Sequence, residues 1–169
     1  MKKYYSIEIL RFLTSISVLI YHYRHFFAPY NLNSNLNYFE MGSTLPFYNF
    51  LGFLYEHGIF GVHVFYTISG FVFAHIYLSN EKIVTSKSFF LNRFARLYPL
   101  HLATLLLVSI LQFYSFLQFD NYQIIQLNDF YHFILNILFI SSWGFENGHS
   151  FNAPIWSVSV EIAIYILFF

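Results

Sequence analysis

The chain contains no cysteine, which excludes disulfides, thiol nucleophiles and thiolate metal sites and leaves the redox compartment open. Charge is almost as scarce. Asp, Glu, Lys and Arg make up 9% of the 169 residues, against about 25% in an average soluble domain. Acidic and basic residues balance at eight each, so no basic excess points to nucleic acid. No linker, internal repeat or soluble domain separates one part of the chain from another. What fills the sequence is apolar and aromatic: 57% hydrophobic residues, with 24 Phe and 15 Tyr. Such a composition belongs to a membrane protein.

Hydrophobic segments set the organisation. The first covers residues 7–27, followed by a polar, aromatic loop over 28–56, a second apolar segment over 58–78 and a basic loop over 79–96. A third apolar segment covers 97–119, a polar loop 120–129, and a fourth segment only 130–143, short for the roughly 20 residues a helix needs to cross. A polar loop over 144–152 precedes a last apolar run over 154–169. The expectation is an all-α, polytopic transmembrane bundle of about four to five spans. Glu8 and Arg11 interrupt the first apolar region and no small-x-small cleavage pattern follows, so it reads as an uncleaved span rather than a signal peptide. Lys2, Lys3, Lys82, Lys87, Arg93 and Arg96 lie before the first span or between the second and third, which puts the amino terminus in the cytoplasm.

Within this frame, ionisable residues in apolar surroundings mark candidate sites. Arg11 and His22 are three turns apart on one face of the first span, roughly 16 Å along its axis. Arg11 either pairs with Glu8 one turn earlier or faces a wet interior. His22 is either a neutral ring bonded to a neighbouring helix or a reactive group. Gly61, Ser69 and Gly70 in the second segment suit close helix packing, while His63 and His75 differ by about 120° in direction and make no joint site. Arg93 and Arg96, one turn apart beside Pro99 at an expected helix start, form either a phosphate clamp or only the positive-inside signal. In the last run Asn152 and Pro154 mark a helix start, and Ser157, Glu161 and Tyr165 share one face. Glu161 needs a partner there, with Arg11 or His22 as candidates, or else forms a structural interhelical pair. Eight histidines raise the question of a metal, but they are dispersed and no H-E-x-x-H pattern occurs, so no metal is expected.

Together these stretches resemble the acyltransferase 3 family of polytopic membrane acyltransferases acting on extracytoplasmic glycans. The resemblance rests on Arg11 and His22, on G-V-x-x-F-[FY]-x-[LI]-S-G-F from Gly61 to Phe71, on R-x-x-R-x-x-P at Arg93, Arg96 and Pro99, and on N-x-P-x-W-S-[LV]-S-x-E from Asn152 to Glu161. It covers essentially the whole of 1–169 as one domain. His63 departs from the pattern, standing where many members carry an acidic residue. The resemblance implies transfer of an acyl group, with acetyl expected, from cytoplasmic acyl-CoA to a hydroxyl of a cell-surface carbohydrate. Arg93 and Arg96, with Arg11, would hold the donor's phosphates. His22 would act as general base or carry the acyl group, and Glu161 would orient or balance a basic partner. Members resemble bundles of about ten spans, so the chain is expected to be the amino-terminal half of one, and a second polypeptide is an expected partner alongside lipid, acyl-CoA and glycan. A transporter or proton-relay subunit and a non-catalytic accessory fragment are the alternative readings.

Overall fold

A computed structural model describes residues 5–27, 42–77 and 85–168. The chain divides into two units, Met1–Lys82 and Ile83–Phe169, and all regular structure among the described residues is helical. Lys2, Lys3 and Lys82, which carry part of the orientation argument, lie outside the described residues, as does much of the loop expected over 28–56.

In the first unit, α1 (Tyr5–Tyr23) runs into a short 3-10 turn (Arg24–Phe27), and α2 (Tyr48–His57) meets α3 (Phe60–Tyr77). The loop expected to reach residue 56 therefore contains a helix. Its apolar spacing was hidden by the surrounding Asn and Tyr residues. Both α2 and α3 pack on α1. The approach is closest at Gly58 and Gly61. A Cβ at Gly58 would lie 2.4 Å from the Ser17 carbonyl oxygen and 2.5 Å from that of Leu54, and one at Gly61 would lie 2.7 Å from Val18 Cγ2. Gly70, by contrast, has no neighbour within 4 Å of its would-be Cβ, so the packing role expected for it is absent among the described residues. The hydroxyls of Thr14 and Ser15 turn back onto the carbonyls of Leu10 and Arg11 at 2.7 and 2.8 Å, which satisfies them within their own helix.

The second unit opens with α4 (Ser86–Phe119), followed by α5 (Phe130–Ile137), a 3-10 turn (Ala153–Ile155) and α6 (Trp156–Phe168). Thr85 starts α4 as its N-cap, its hydroxyl accepting from the Ser88 amide at 3.4 Å. Lys87, Arg93 and Arg96 are thus helical and not in a loop, and Pro99 sits inside the helix and not at its first turn. There it leaves the Ala95 carbonyl without its usual amide. The 34 residues of α4 reach about 51 Å, and its outer surface carries Leu106, Leu107, Ile110, Leu111 and Phe113. Asp120, in the left-handed conformation at φ 52°, stops it.

Among the described residues α4 alone is long and apolar enough to cross a bilayer, and α2 with α3, bent by 57°, qualifies as a second span if the pair is counted as one. α1 has the length, but Glu8, Arg11, His22 and the hydroxyl residues Ser6, Thr14, Ser15 and Ser17 dilute its apolar content. The fourth expected segment shortens to the eight residues of α5.

The contact at Gly58 predicts a clear contrast. Gly58→Ala should destabilise the first unit by about 1–3 kcal/mol, because backbone atoms of α1 and α2 must move apart. Gly70→Ala should be neutral or mildly stabilising. Thermal unfolding of the detergent-solubilised variants checks both, and equal effects would contradict the packing described.

Candidate functional site

The charged face of α1 resolves into local pairs. Arg11 reaches Glu8 at 3.5 Å, with both side chains substantially exposed. His22 is half-buried. Its Nδ1 lies 2.8 Å from the Val18 carbonyl oxygen. A carbonyl only accepts, so Nδ1 carries the proton and the lone pair of the neutral ring sits on Nε2. The ring packs edge-on against Tyr21 at 5.2 Å and lies 6.0 Å from His25. Arg24 lies over the Tyr21 ring at 3.8 Å and donates to the Tyr55 carbonyl near the end of α2 at 3.4 Å. His63 is exposed, with its ring 5.8 Å from Phe60.

In the second unit, placement of the remaining candidates depends on how the chain returns from α5 to α6. α5 ends with Phe139 left-handed at φ 59° and the Ile140 amide bonded to the Leu135 carbonyl at 3.0 Å, a Schellman closure without the usual glycine. The strain, about 1–2 kcal/mol for a non-glycine residue, is offset by a buried ring that packs on His101 at 4.3 Å and Tyr98 at 5.7 Å. Ser159 of α6 has no exposed surface. Its hydroxyl donates to the Phe139 carbonyl at 2.8 Å and accepts from the Ser142 amide at 3.2 Å, while the Trp143 indole donates to its carbonyl at 2.9 Å. Asn152 donates to Thr104 on α4 at 3.0 Å, and Ser157 to the Pro154 carbonyl at 3.1 Å. The polar residues of the Asn152-to-Glu161 stretch therefore mostly seat α6.

A buried polar network supports the same turn. Asn136, 1% exposed, donates to the His132 carbonyl and to Ser150, both at 2.9 Å, and its own carbonyl receives His101 Nε2 at 2.8 Å. His132 is equally buried. Asn147 donates its amide to His132 Nε2 at 3.2 Å, so the ring proton is on Nδ1, which donates to the Asp129 carboxylate at 2.9 Å. This His–Asp pair has both ring nitrogens occupied within the protein. It is structural.

Glu161 lies on α6 and accepts a hydrogen bond from the Tyr165 hydroxyl one turn later. Within the second unit its partner is the tyrosine on its own face. Tyr165 is 5% exposed, and its ring stands perpendicular to Phe89 of α4 at 5.1 Å. Arg93 places its guanidinium carbon 5.1 Å from the Tyr165 ring centre and 5.4 Å from that of Phe89, within cation–π range of both. Arg96, one turn on, is exposed. Beside this group lies a cavity of about 330 Å³, walled by Phe90, Phe94, Leu97, Leu138 and Ile162 together with Arg93 and Tyr165. The structure thus brings together Arg93, Tyr165 and Glu161. The i,i+4 spacing of Glu161 and Tyr165 was visible in the sequence. The approach of α4 to α6 was not.

Asp129 also caps α5, accepting from the His132 amide at 2.8 Å. That amide, followed by the His132 ring, holds its carboxyl below the usual carboxylate range. A depressed folded value means that the stabilisation is present above the ordinary value of 3.8 and is lost as pH falls through the lower one. Asp129→Ala should therefore cost about 1 kcal/mol at neutral pH. The difference from the parent should shrink below about pH 4, as followed by unfolding in detergent. A gap that stays constant into acid would rule out the charged cap.

Comparison with known proteins gives two matches. The family model described as an acyltransferase domain matches residues 4–169. An acyltransferase, MdmB of Streptomyces mycarofaciens, is 32% identical over 113 residues, 66% of this chain and 27% of that protein. The chain thus spans about a quarter of the length of the curated relative it matches. No solved structure matches. The family match, with α4 long and apolar enough to cross a bilayer, supports a membrane protein.

Proposed function

The chain belongs to the acyltransferase family whose model covers residues 4–169, and from that premise we propose that it works in a membrane O-acyltransferase that moves an acetyl group from cytoplasmic acyl-CoA to a hydroxyl of a cell-surface carbohydrate. The observation that carries this reading is the pairing of one guanidinium, Arg93, with an apolar cavity of about 330 Å³. Acyl-CoA is an anion with a long, weakly polar arm ending in the thioester. A cation beside an apolar cleft suits such a molecule, with Arg93 and the exposed Arg96 toward the phosphates and the cleft around the arm. Both arginines fall just before the apolar stretch of α4, the depth at which a cytoplasmic, membrane-impermeant donor would meet the protein.

His22 is proposed as the base. With its proton on Nδ1 bound to Val18, Nε2 can accept the proton of the acceptor hydroxyl as the sugar oxygen attacks the thioester carbonyl. The carbon–sulfur bond then breaks, and the imidazolium returns the proton to the departing thiolate. Glu161, held by the Tyr165 hydroxyl, balances the basic charge of α4 without pairing with it, and Arg11 charge-balances the inner end of α1. The wider proposal is a cytoplasmic amino terminus in a bundle of four to five spans, the first half of a larger one completed by helices this sequence does not include.

His22→Ala decides the role of the histidine. With the variant accumulating normally in membranes, transfer of labelled acetyl from acetyl-CoA should fall by about 10²-fold or more. Retained transfer would remove His22 as the base. Unchanged labelling together with lost assembly would favour an accessory role.

A further inference from the structure

We infer that Tyr165 is a positioning residue, whose ring holds Arg93 in place for the donor's anion while its hydroxyl holds Glu161 apart from that arginine. This rests on the reading that Arg93 receives acyl-CoA. Three observations carry it. First, among the described residues Arg93 makes no hydrogen bond or ion pair and is held by ring faces, Tyr165 at 5.1 Å and Phe89 at 5.4 Å. A guanidinium fixed through its flat face keeps its N–H edge open for a two-pronged anion, whereas one fixed by carboxylates would have spent those donors. Second, the two rings stand at 89° to each other, 5.1 Å apart, forming a corner that restrains a long side chain which would otherwise sample many rotamers. Third, the carboxylate nearest in kind, Glu161, is engaged by the Tyr165 hydroxyl. In apolar surroundings an unengaged carboxylate one helix away is the natural competitor for Arg93. Tyr165, 5% exposed and walling the cavity, performs both tasks with one side chain.

The test is steady-state kinetics of acetyl transfer in membranes, with acetyl-CoA varied. Tyr165→Leu removes ring and hydroxyl, and should raise KM for acetyl-CoA about tenfold, the loss expected for a cation–π restraint, with a smaller change in kcat per folded protein. Tyr165→Phe keeps the ring but releases Glu161, and should recover most of that loss while leaving a smaller residual rise in KM. A residue serving only to pack α6 would lower the amount of active protein and leave KM alone. Should Tyr165→Leu fail to accumulate, Phe89→Leu removes the other ring and should raise KM in the same direction. Arg93→Ala separates the two levels of the argument. If it leaves KM unchanged, the donor reading of Arg93 falls and this inference with it. If it raises KM while Tyr165→Leu or Phe89→Leu does not, or if Phe at 165 is no better than Leu, the positioning role alone is overturned.

Discussion

The hydroxyl of Ser159 bonds both a carbonyl and an amide of the segment that follows α5, with no exposed surface of its own. In a chain so short of charge, and with an apolar outer surface, the polar groups at a helix break cannot rely on bulk water and must be met inside. Ser159 meets two of them at once, and the Trp143 indole donates to the Ser159 carbonyl. Removing the hydroxyl would orphan an amide and a carbonyl together, each costing about 1–3 kcal/mol when buried. The consequence is positional. α6 can dock only in the register that brings Ser159 to Phe139 and Ser142, and Glu161 and Tyr165 follow on the next turns. Tyr165 then reaches Phe89 and Arg93 because α6 has no freedom to slide.

The two arginine settings differ. Arg11 pairs with an exposed carboxylate on its own helix, an arrangement worth a few tenths of a kcal/mol and easily exchanged for another partner. Arg93 is gripped by aromatic faces, which hold the cation without neutralising it. A site for an anion needs the second kind of setting, since a cation already paired must give up one partner to gain another.

The all-helical class was legible because low charge and long apolar runs leave little else. Boundaries were less so. The basic residues 87–96 looked like a loop since Lys and Arg signal the cytoplasmic side equally well from a helix, and only the Thr85 cap marks the true start. Pro99 looked like a first-turn proline because that is where proline is cheapest, yet a helix of 34 residues absorbs one missing bond. α5 ends early without a glycine, its left-handed Phe139 held by tertiary packing that no local pattern announces. At the site, Glu161 and Tyr165 were readable as i and i+4 neighbours. The meeting of Arg93 with Tyr165 depends on contacts between helices far apart in sequence, so spacing within either helix could not disclose it. The polar motif from Asn152 to Glu161 stood out for the same reason that it is structural: buried hydroxyls and amides are rare in such a chain, and here most of them place the helix that bears the acid.

Three histidines differ in what their hydrogen bonds leave free. His132 has Nε2 filled by a backbone amide and Nδ1 by Asp129, so the dyad has no free lone pair. His101 donates through Nε2 to Asn136 and keeps a lone pair on Nδ1, but that atom is buried without a partner and the residue is 3% exposed, out of reach of a sugar hydroxyl. His22 alone among these three combines a proton anchored on Nδ1 with a half-buried ring, so that its basic nitrogen is both defined and approachable. A general base needs each of those properties: the anchored proton sets which nitrogen reacts, and access lets an acceptor arrive. The bond from His22 to the carbonyl four residues earlier therefore does for this ring what a carboxylate does in other histidine pairs. It requires no second charge inside an apolar helix, where one would be expensive.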